Sequence, residues 1–64
     1  MIVQYRGTPL VSPGSDRVLV MRVGPPYAAQ GEAVPVVTPP IVRVDTKARV
    51  IHCKGITYVP ERNP

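Results

Sequence analysis

Few residues in this chain have side chains suited to nucleophilic, acid–base or metal chemistry. The one histidine and the one cysteine are adjacent, His52-Cys53. A thiolate–imidazolium pair or a shared metal would need both side chains on one side of the backbone. Neighbouring residues of an extended chain point to opposite faces, so this spacing works against both. A structural zinc site takes about four ligands, and the sequence has no second Cys or His. The acids Asp16, Glu32, Asp45 and Glu61 fall in turn-like or terminal stretches far apart in sequence, without the convergence that general acid–base work needs. Ser12 and Ser15 sit among Pro and Gly with no nucleophile-elbow pattern around them. The expectation is a protein without catalytic residues, cofactor or metal.

Binding chemistry is better represented. The chain has 64 residues, eight Lys and Arg against four Asp and Glu, and a net charge of +4. Arg17, Arg22, Arg43, Lys47 and Arg49, with Tyr5 for base stacking, form a candidate set for single-stranded nucleic acid, since phosphate contacts and aromatic platforms are what such a ligand requires. The charges are scattered rather than clustered, and no Gly-aromatic signature of an RNA-recognition module is present.

These residues must be positioned by short strands. Residues 39–60, Pro-Pro-Ile-Val-Arg-Val-Asp-Thr-Lys-Ala-Arg-Val-Ile-His-Cys-Lys-Gly-Ile-Thr-Tyr-Val-Pro, are rich in β-branched types, bracketed by proline and broken by two polar turns, which predicts three strands. A two-residue turn at Lys54-Gly55 sets Cys53 opposite Ile56 and Ile51 opposite Tyr58. If the preceding loop has odd length, centred on Lys47, Asp45 stands opposite Arg49, whose opposite charge supports the pairing, and Val44 opposite Val50; an even loop mixes the two sets and still leaves apolar residues on both faces. Residues 2–6 read as a first strand, and residues 7–16 as turns and extended loop because Gly, Pro, Ser and Asp recur through them. The run Arg17-Val-Leu-Val-Met-Arg-Val23, stopped by Gly24-Pro25-Pro26, is a strand apolar on both faces.

Residues 24–40 hold five of the nine prolines. Each removes a ladder donor and pushes the preceding residue to an extended conformation, which predicts a Pro-rich arm with an edge strand at most over 36–38. The fold expected is therefore all-β: a small sandwich or open barrel of four to six short antiparallel strands with Pro-rich extended arms, in one domain over residues 1–64.

A lone cysteine rules out an internal disulfide. The longest uncharged run, residues 33–42, contains three prolines and is far shorter than the roughly 20 apolar residues of a membrane-spanning helix. The N-terminus lacks the basic-then-apolar order of a signal peptide. A chain this small has a thin core, and its strands carry apolar residues on both faces. Those features point to a non-enzymatic structural or interaction protein, a small subunit docking on a larger protein assembly or on copies of itself. A viral capsid cementing or decoration protein is the setting expected, hence the virion, or otherwise the cytoplasm. The interface expected comprises Ile41, Ile51, Ile56 and Tyr58 on one sheet face, with Tyr27, Val34, Val36 and Val37 on the arm. The alternative is a small basic β-barrel that binds single-stranded nucleic acid.

Overall fold

A computed structural model describes residues 1–24 and 31–61. The described residues form six strands and no helix: β1 (Ile2–Val11), β2 (Val18–Val23), β3 (Ala33–Val37), β4 (Ile41–Asp45), β5 (Val50–Cys53) and β6 (Ile56–Pro60). They make one sheet in the order β3-β2-β1-β6-β5-β4. Each half of the chain is an antiparallel meander, and the halves join through β1 and β6, whose pairing is parallel, with Val3 opposite Tyr58 and Tyr5 opposite Pro60. The expected all-antiparallel pairing is corrected at this one seam. The two strands stand at opposite ends of the sequence, so no tight turn dictates their relative direction.

The short link between β3 and β4 fixes the shape. In a flat sheet these two edge strands would lie about 24 Å apart, five strand spacings. Only Thr38-Pro39-Pro40 connects them, and four extended residue steps reach at most about 14 Å. The sheet must roll up to bring its edges together, which makes it an open barrel.

The link is bonded along its length. The Thr38 N–H donates to the Val18 carbonyl at 2.9 Å, and the Val18 N–H donates to Thr38 Oγ1 at 3.1 Å. The Ile41 N–H donates to the Asp16 carbonyl at 2.8 Å, and the Lys54 N–H to the Pro40 carbonyl at 3.3 Å. Thr38 is fully buried.

The rolled sheet encloses Val3, Tyr5, Val18, Val20, Ile51, Cys53 and Tyr58, with Val36, Ile41 and Ile56 packed against them. The β5–β6 hairpin has the expected register, Cys53 opposite Ile56 and Ile51 opposite Tyr58. The β4–β5 loop does not. Asp45 pairs with Val50 and Val44 with Ile51, so the loop holds an even number of residues. Asp45 Oδ1 accepts the N–H groups of Lys47 and Ala48, both at 3.1 Å, and Arg49 takes a left-handed φ of 61°, which keeps it inside the turn. A bulge at Val42 restores the alternation, so that Ile41 and Val44 both face the interior.

Residues 7–11, expected as loop, continue β1. Between Arg6 and Leu10 the strand carries two more residues than its partner β2, and Gly7 supplies the left-handed φ of 75° that the irregularity needs. Two contacts hold this bend: the Tyr5 hydroxyl donates to the Arg49 carbonyl, and the Arg49 guanidinium donates to the Gly7 carbonyl at 3.1 Å. β3 is an edge strand, longer than expected and starting earlier, at Ala33. The part of the expected arm over residues 25–30 lies outside the described residues.

Replacing Thr38 with Val keeps the shape but leaves the buried Val18 N–H without its acceptor. We expect a loss of about 1–3 kcal/mol in urea unfolding. A loss within measurement error would show that the link is not held by this bond.

Candidate docking surface

The structure separates the two reactive neighbours as their spacing predicts. Cys53 faces inward and is buried, whereas His52 faces outward opposite Thr57, with its Nε2 at 3.3 Å from an Arg43 nitrogen. Burial pushes the Cys53 thiol up from its usual range, and a hydrogen bond with Thr38 offsets part of that shift. Ser15 Oγ accepts the Arg17 N–H at 3.1 Å and shapes the loop before β2. Among the described residues, no three His, Cys, Asp or Glu side chains come together as a metal site. No helix among them is long and apolar enough to cross a membrane.

Of the residues expected at an interface, Ile51 and Tyr58 are only 4% and 3% exposed. They are core, which corrects their assignment to a partner-facing surface. Rolling the sheet turns the Ile51–Tyr58 face inward, where it closes on Val3 and Val20. Ile41, Ile56 and Val36 pack at the margin of the same core, and Val34, half-buried, sits opposite Arg22 on that inner side. Among the described residues of the set, Val37 alone is well exposed. Tyr27 lies outside the described residues.

The expected nucleic-acid set is likewise divided. Tyr5 and Arg22 are buried inside the barrel, which removes both from any accessible surface. Arg17, Arg43, Lys47 and Arg49 are exposed. Arg17 reaches toward the Thr38 carbonyl at 3.5 Å, and Arg49 braces Gly7.

Two surface features stand out once these assignments are made. The first is a cross-strand row on the outer face: Leu10 pairs with Leu19 and Leu19 with Val37, so three apolar side chains cross β1, β2 and β3 in line. Leu10 is 65% and Val37 62% exposed. The adjacent row runs Arg6, Met21, Pro35. Strand alternation sets Leu19 and Met21 together on one face of β2. Leu10 was hidden because its Gly-Pro surroundings read as loop.

The second feature is a cavity of about 320 Å³ between β4 and the distal half of β1, walled mainly by Pro9, Val11, Val18, Ile41, Val44 and Ile51. It lies where β1, bent at Gly7, has left β6 and where β4, among the described residues, has no strand beside it other than β5.

Arg6 and Glu61 tie the centre of the sheet on its outside, with Nε to Oε1 at 2.8 Å and Nη2 to Oε2 at 2.9 Å. The paired guanidinium holds the Glu61 carboxyl below its usual range, and the carboxylate raises Arg6. Because the folded pKa of Glu61 is depressed, its stabilisation is present above the ordinary carboxylate value of about 4.3 and is lost as pH falls through the folded value. The stability difference between the native chain and Glu61→Gln, followed by denaturant unfolding, should shrink on acidification below pH of about 4 and on adding salt. A difference independent of both would contradict the pairing. Comparison with known protein families, characterised proteins and solved structures finds no match for this chain.

Proposed function

We propose that this chain is a non-enzymatic interaction subunit that docks on a larger protein assembly through the outer face of its β3-β2-β1 half. The observation that carries this reading is the Leu10–Leu19–Val37 row, with Met21 beside it, whose Leu10 and Val37 ends stand in solvent on the face opposite the chain's own core. Burying large aliphatic side chains is worth about 1.5–3 kcal/mol each, so two such residues at 65% and 62% exposure are a substantial unsatisfied gain. A contiguous apolar strip on a rigid sheet meets the usual description of a protein-binding patch better than scattered exposed residues do. Docking of this kind is not tied to a virion; any assembly with a complementary apolar groove would serve.

Nucleic-acid binding is less well supported. With Tyr5 and Arg22 inside the barrel, the remaining cations have lost the aromatic partner that the single-strand reading relied on.

The test is co-purification from the native source with the untouched chain and with the double substitution Leu10→Asp and Val37→Glu. Both changes lie on the solvent side, so the circular dichroism spectrum should be unchanged while the retained partner is lost. Retention by the folded double variant would refute docking through this row. By contrast, Tyr58→Glu places a charge in the core and should unfold the chain outright, a cost of several kcal/mol.

A further inference from the structure

The two free edges of the sheet are not equivalent. Along β3, the bonds from Thr38 to Val18 and from Gly24 to Glu32 identify the even-numbered residues as those facing β2. Ala33, Pro35 and Val37 therefore turn their backbone outward, and the middle one has no N–H to offer. Pro35 blunts this edge at no cost to the ladder.

Along β4 the same reasoning gives the opposite result. The Lys54 N–H points to Pro40, so His52 and Val50 direct theirs to the paired Arg43 and Asp45. Val44 is left with its N–H and C=O both turned away from β5. Among the described residues no strand pairs with that side, where the Asp16 carbonyl takes the Ile41 N–H at its start and leaves the stretch around Val44 open, and β4 contains no proline or glycine. Its Val42 and Val44 are 72% and 45% exposed, and Val44 is also a wall of the 320 Å³ cavity.

We propose that the free edge of β4 is a β-augmentation site for an extended segment of a partner protein, apolar at alternate positions and flanked by acidic residues. Main-chain bonds to Val44 would align the incoming strand. One of its apolar side chains would then fill the cavity over Val18 and Ile51. The acidic flanks follow from charge: along β4 and its turn the three cations Arg43, Lys47 and Arg49 outnumber the one acid, Asp45. A second copy of the chain is the poorer occupant, because each copy carries a net charge of +4. The proposal rests on the chain being an interaction subunit, but it uses a different surface from the Leu10–Leu19–Val37 row.

The experiment titrates the full chain with the acidic peptide Asp-Glu-Thr-Val-Thr-Val-Thr-Asp-Glu and follows backbone amide shifts by NMR. The expected result is saturable binding that perturbs Val42, Val44 and Thr8 to Val11, weakens with salt, and protects the Val44 amide from exchange. A twin peptide with Lys in place of every acidic residue should bind at least about tenfold more weakly. The variant Val44→Pro, which copies onto β4 the device found at Pro35, should abolish binding. If that variant unfolds, Lys47→Glu with Arg43→Glu should still weaken the acidic peptide and favour its Lys twin. Any of the following would overturn the proposal: shifts confined to β3 or to the Leu10–Leu19–Val37 row, equal binding of both peptides, self-association through β4 in place of peptide binding, or no binding by the folded chain. The charge-neutral pair Met21→Gln and Val37→Gln trims the exposed apolar face of β2 and β3 without touching β4 or a wall of the cavity, so it should not change peptide affinity, and the two readings fail separately.

Discussion

The Thr38-Pro39-Pro40 link is the constraint from which the architecture follows. Three residues must carry the chain from one edge of a six-stranded sheet to the other, a distance they cannot cover unless the sheet rolls up. Proline suits this crossing because it has no N–H to satisfy and loses less entropy than other residues when fixed. Thr38 supplies what proline cannot: its N–H and hydroxyl both bond to Val18, from a position with no solvent access. Rolling then decides which face becomes core. The face lined by Val3, Val20, Ile51 and Tyr58 closes on itself, and the opposite face is left to solvent.

That division explains both what the sequence revealed and what it concealed. Strand composition and proline punctuation were enough to identify an all-β chain and the β5–β6 hairpin, because a two-residue turn at Lys54-Gly55 leaves one natural register. The apolar character of both strand faces was also legible. Which face would be buried was not, since it depends on a link between strands whose order in the sheet no local signal gives. Ile51 and Tyr58 looked like interface residues for that reason, and Leu10 looked like a loop residue because its neighbours are Gly, Thr and Pro. The β4–β5 loop misled in a similar way. Opposite charges at Asp45 and Arg49 suggested a cross-strand pair, yet each is used within the turn region, Asp45 on backbone N–H groups and Arg49 in a left-handed conformation that reaches Gly7.

The surface left over is polarised in a way that charge and hydropathy averages do not convey. One edge is blunted by Pro35, the other presents Val44 and a cavity behind it, and the apolar row lies on the outer face of β1, β2 and β3. The chain closes Val3, Val20, Ile51 and Tyr58 into a core of its own while these features stay exposed, an arrangement suited to folding without a partner. The proposal that follows is self-sufficient folding, with the outer face and the β4 edge left for binding.

Native-state hydrogen exchange on the isolated chain tests it most directly. The Thr38 amide, buried and bonded to Val18, should be among the slowest to exchange, whereas the Val44 amide, turned away from β5, should exchange rapidly. Rapid exchange at Thr38 and throughout the strands would mean that the chain does not fold alone. Protection of Val44 equal to that of Thr38 would mean that the β4 edge is already covered.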